Sequence, residues 1–185
     1  MRLFVQPGFR GHMSVHDFLA SIGHPRLREI AGHWDRARSG RLMPAWGDLD
    51  ATELRRNLTI VWAWKYDRDS DRFTGRLAGE EINESFGKNL RGADMAEFFK
   101  DFDYPNIFAR HRRVVTEPSC ARGVGQVFAH ARRVGQGERI IMPLAEDGMH
   151  GDGIFGATLY DPRPREWEEG AGPLVGETVT FYPLP

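Results

Sequence analysis

Apolar residues recur at helical spacing up to about residue 57, at strand spacing to residue 78, at helical spacing to residue 115 and at strand spacing beyond, and that order limits the folds open to the chain. Ser14, with Asp17 three residues on, carries the spacing of a capping box. Val15, Phe18, Leu19 and Ile22 then form one apolar face, closed by Gly23. Pro25 opens a second helix at a position where a missing N–H costs nothing. Its stripe is Leu27, Ile30, Ala31, Trp34 and Ala37, with Gly40 as the stop. Asp50 and Glu53 repeat the capping-box spacing before a third helix of about two turns.

Residues 58–66 are rich in β-branched and aromatic side chains, 67–71 are a polar turn, and 72–78 are a second strand, so the pair reads as a hairpin. Helices follow at 80–86, around Met95, Phe98 and Phe99, and at 104–115. The last third reads as strands at 123–134, 138–145 and 153–160, with turns at 135–137 and from 146 onward. Pro143 inside a strand marks a bulge or an edge. A Pro- and Gly-rich tail follows, with room for one short strand at 177–182. Hairpin-length links predict an α+β fold: a five-stranded antiparallel sheet with helices on one face. The 185 residues make one domain's length. They divide into an N-terminal helical extension on the same core (1–57), the sheet-bearing domain (58–160) and a C-terminal tail (161–185).

Composition serves mainly to exclude. A formal net charge of −1 gives no general attraction to nucleic acid or to an acidic membrane surface. No apolar run approaches the roughly 20 residues of a membrane span. The N-terminus lacks the apolar core of a secretory signal. The single Cys120 cannot form an internal disulfide, which suits a reducing, cytoplasmic setting. Two basic clusters, Arg110 with Arg112 and Arg113, and Arg132 with Arg133, read as solvated faces.

The strand–strand–helices–three-strand order is that of a PAS domain. Arg76-Leu77-Ala78-Gly79-Glu80-Glu81-Ile82 and Phe86-Gly87-Lys88-Asn89-Leu90-Arg91-Gly92 resemble the "RLxGxxI…FGxxLxG" signature of the bacterial PAS-like family PAS_5. His33-Trp34, residues 40–44 and residues 48–50 resemble that family's lead-in helix and loop. Residues 139–144 followed by Asp147-Gly148 resemble its "LLPL…DG" hairpin. The resemblance covers about residues 24–160. It implies a sensory or regulatory domain with a cavity between sheet and helices.

Aromatic side chains and Met make adaptable pocket walls. The expected ligand-lining residues are Phe73, Leu77, Phe86, Met95, Phe98, Phe108, His111 and His130. A core filled by the same side chains is the alternative. His111 sits mid-arc among Ile107, Phe108, Val114 and Val115, so it points inward. The resemblance implies haem as one cofactor for such a His, against a hydrogen-bonded core residue. Flavin adduct chemistry is not expected, because Leu90 or Met95 stands where the "GxNC" segment of light-sensing relatives has its Cys. No metal site is expected. Asp67, Asp69 and Asp71 open like a calcium loop, but Arg72 replaces its Gly and Ala78 its bidentate Glu. No GxSxG elbow, Walker loop or zinc spacing occurs, so no catalytic residues are assigned.

These readings leave three functions open: a sensory module for a small cytosolic ligand or a signalling protein, a ligand-free adaptor, and a small enzyme of unfamiliar site. No output domain follows the sheet in this sequence, so a partner in trans is expected. Trp34 suits a homodimer interface through the N-terminal helices, rimmed by Arg26, Arg28, Arg36 and Arg38. The alternative is that its stripe packs on the chain's own sheet.

Overall fold

A computed structural model describes residues 14–130, 133–160 and 176–185, with side chains described outside 126–136. Helices α1 (Val15–Ser21), α2 (Pro25–Ala37) and α3 (Ala51–Leu54) lead in. Strands β1 (Val61–Asp67) and β2 (Arg72–Ala78) follow, then α4 (Glu80–Phe86), α5 (Met95–Phe98) and α6 (Tyr104–Thr116). Strands β3 (Ser119–His130), β4 (Arg133–Leu144), β5 (Gly153–Tyr160) and β6 (Thr178–Pro183) complete one antiparallel sheet in the order β2-β1-β5-β4-β3-β6.

Local chemistry accounts for the element ends. Ser14 and Asp17 close a reciprocal capping box on α1, and the His24 ring accepts from Arg26 N at the start of α2. Gly87, at φ 63°, ends α4 in the left-handed region that glycine tolerates. α3 is a single turn, and Asp50 alone caps it. Glu53 instead accepts from His33 Nδ1 at 3.0 Å and from Arg36 at 3.0 Å.

Three sequence expectations are corrected. The sheet has six strands, because β6 pairs along β3 with Ala121 opposite Phe181. The β3–β4 turn does not fall at 135–137: these residues lie within β4, where Gly137 pairs with Gly125. Helices cover both faces. On one, α1 and α2 pack Phe18, Leu27, Ile30 and Trp34 against Val61, Ala63, Ile140 and Phe155. On the other, α4–α6 pack Ile82, Phe98 and Val114 against Trp62, Trp64, Ile141 and Ile154. A sheet covered twice loses the alternation of buried and exposed residues, and β5 is buried without a break from residue 153 to 158.

The stripe of α2 therefore packs on its own sheet. Trp34 is fully buried, and its Nε1 donates to Pro143 O at 2.9 Å. Pro143 marks no bulge but a locally unpaired side of β4, since it pairs only with Ile154 of β5. It lies in β4 just past the last β3–β4 pair, Ala121–Ile141, where a missing N–H deprives no partner. The flanking arginines serve the same layer: Arg26 reaches Asn57, Arg28 reaches Ile22 O and Arg38 reaches Asp35.

Candidate functional site

A cavity of about 550 Å³ lies between the sheet and α4–α6. Period-2 alternation puts Trp62 and Trp64 of β1 on its floor beside Thr158 and Tyr160 of β5. Trp62 crosses β5 over Gly156, where a Cβ would sit 2.4–2.7 Å from three indole atoms. Its Nε1 donates to Thr158 Oγ1 at 2.9 Å, which holds the ring flat. The roof comes from Ile82 and Phe86 of α4 and from Ile107, Arg110 and His111 of α6. Val179 and Phe181 of β6, with Glu177 just before the strand, form a side wall. Exposed Asp103 and Asn106, hydrogen-bonded at 2.6 Å, mark the rim.

One end of the cavity is charged. Arg110 Nη1 donates to Glu177 Oε2 at 2.6 Å, and Arg139 Nη1 approaches the same oxygen at 3.6 Å. The three side chains are only 11–13% exposed. Two guanidiniums thus converge on one carboxylate oxygen. Burial pulls the Arg110 guanidinium down to about 10, and repulsion from Arg139 works against the attraction of Glu177. Arg110 Nε and Glu177 Oε1 are buried without a hydrogen-bond partner among the described residues. Gly123 makes room for the carboxylate: a Cβ there would lie 1.9 Å from Glu177 Oε1.

His111 is 2% exposed, and its Nδ1 lies 2.6 Å from Ile107 O. A carbonyl only accepts, so Nδ1 carries the proton and Nε2 keeps its lone pair. Burial first, and Arg110 second, hold the imidazole well below its usual value, so it is neutral at physiological pH. Burial also raises the Tyr160 phenol.

Among the expected ligand residues, Phe86 and His111 line the cavity. Phe73, Met95, Phe98 and Phe108 belong to the packed cluster around it. Phe108 meets Phe73 edge-on at 5.9 Å, and Phe98 meets Trp64 edge-on at 5.7 Å, so these rings support the wall from behind. Leu77 packs on the α1–α2 face. The β1–β2 register slips between Ala63 and Trp64, so Arg76 is the extra residue of a bulge. Leu77 then pairs with Ala63 and turns to the face opposite Phe73. The side chain of His130 lies outside the described residues.

Sequence reasoning missed Trp62, Arg110, Arg139, Thr158 and Glu177. Arg110 is no solvated residue, unlike Arg112 and Arg113, which form exposed pairs with Asp71 and Glu117. A signal for it existed, since Arg110 shares the helical arc of Ile107 and Val114. The Asp67 side chain accepts from the Asp69 and Ser70 amides within the β1–β2 turn, and no cluster that would hold a metal occurs among the described residues. No helix among them is long and apolar enough to cross a membrane.

An antiparallel sheet whose β2–β3 connection is helical and roofs a cavity is consistent with the PAS fold. Residues 22–159 match the family PAS_5, described as a PAS domain, and the chain belongs to that family. Such domains are typically non-catalytic sensory or regulatory modules. No curated protein matches the chain.

Proposed function

We propose that this chain is a sensory or regulatory module whose input is a small molecule held between the sheet and α4–α6. The observation that carries the reading is the cavity itself. Its volume of about 550 Å³ is that of a small-ligand site. A docking adaptor of the same fold would fill that space with side chains, because close-packed interiors leave few voids larger than water. The His111 Nδ1–H is committed to Ile107 O, and the Thr158 hydroxyl oxygen accepts from Trp62 Nε1. Occupancy would shift α6 against the sheet, and a partner protein would read that shift.

Native mass spectrometry of the protein purified from its own host tests this. The expected result is a small-molecule adduct that denaturation releases. A bare chain mass, together with no thermal stabilisation by a broad metabolite library, would favour the adaptor.

A further inference from the structure

We infer that the cavity recognises an organic monocarboxylate with an aromatic body, its carboxylate pairing with the buried Nε–H of Arg110, which lacks a partner among the described residues. The inference rests on the reading of the cavity as a ligand site and names the class of ligand.

Arg110 is the point of departure. Glu177 takes its Nη1 corner at 2.6 Å, while Nε–H is buried and unmatched among the described residues. A buried donor on a charged group without an acceptor is costly, and native structures seldom keep one without a reason. The groups around it do not supply that acceptor. Neighbouring His111 keeps an acceptor in Nε2, but no hydrogen bond joins it to Arg110 Nε, and its Nδ1 donates to Ile107 O. Asp103 is exposed at the rim and accepts from Asn106. Of the two carboxylates that line the cavity among the described residues, Asp103 lies at the rim, and Glu177 is already shared by Arg110 and Arg139 through one oxygen. A carboxylate is the planar acceptor that matches a guanidinium edge.

The charge of the ligand follows from the same trio. Glu177 stands beside the unmatched Nε–H, so a dianion such as a phosphate monoester would meet a like charge there. A single negative charge does so least. The rest of the wall sets the body of the ligand. Trp62, Trp64, Phe86, Phe99 and Phe181 offer ring faces and edges suited to a flat apolar group.

Paired probes test it on the full chain: 2-naphthoate and 2-naphthamide, equal in ring and nearly equal in size, titrated against tryptophan fluorescence and the melting temperature. The carboxylate should bind about ten-fold or more tightly than the amide, the ratio expected of a charge-assisted hydrogen bond. Equal binding, or a preference for the amide, overturns the carboxylate inference and leaves the ligand cavity standing. Failure of both probes at millimolar concentration overturns the cavity reading and this inference with it. Arg110→Lys keeps the cation that Glu177 needs but removes the planar edge. A folded Arg110→Lys protein should lose the preference. If it keeps the preference, Arg110 is not the anchor. Should it fail to fold, the wild-type comparison still decides the carboxylate question.

Discussion

The contact between Trp62 and Gly156 can be tested by adding one methyl group. Gly156→Ala meets no backbone obstacle, because the residue lies in a regular stretch of β5 paired on both sides. The obstacle is the indole, whose three nearest atoms would stand 2.4–2.7 Å from the new Cβ. The ring must lift, and with it goes the 2.9 Å bond from Trp62 Nε1 to Thr158. Overpacking costs about 1–3 kcal/mol and the lost hydrogen bond about 1 kcal/mol. Reduced freedom of the unfolded chain returns about 0.4–1 kcal/mol. The net destabilisation should be about 1–3 kcal/mol by urea unfolding, with altered near-ultraviolet dichroism from Trp62. The control is the same substitution in Trp62→Leu, where the indole is gone and the penalty should shrink to a few tenths of a kcal/mol. An equal penalty in both backgrounds would refute the reasoning, since the clash would then not be with the ring. So would a Gly156→Ala protein as stable as wild type.

Three further outcomes are expected. Trp34→Glu should yield unfolded chain by circular dichroism, because Trp34 is fully buried on its own sheet; folded monomers from a wild-type dimer would restore an interface there. Stability should fall as pH drops below about 6.5, since the unfolded chain then binds a proton that His111 refuses when folded, and His111→Gln should flatten that slope; an unchanged slope would show that the imidazole titrates normally. Cys120 is fully buried and its thiol is pushed up by burial, so Ellman's reagent should react only after unfolding; stoichiometric labelling of the native protein would contradict that packing.

Elements bounded by local chemistry were legible from residues alone. β2, α4 and β5 occupy the residues expected of them, because polar turns and glycines fence them. What depends on pairing was not. Gly135 and Gly137 look like a turn in one dimension, yet they run within a strand beside another glycine-containing one. The bulge at Arg76 turns Leu77 over without any mark in the hydrophobic pattern. The second helical layer did leave a trace, in the unbroken apolar runs of β1 and β5, which suit strands buried on both faces. At the site, the aromatic character and His111 were readable. The Arg110–Glu177 pair joins residues 67 positions apart, and no periodicity announces such a partnership.

β5 also governs how a chain of this kind can diverge. A strand with one wet face can drift at every second position without loss. Along β5 no position from 153 to 158 has that latitude. Ile154 faces the cavity-side core, while Phe155 and Ala157 hold the α1–α2 layer through the same backbone. A change that reshapes the floor is therefore paid twice, once in each core. Descendants with new ligand preferences would vary the roof and β6 first, and the floor would be inherited nearly intact.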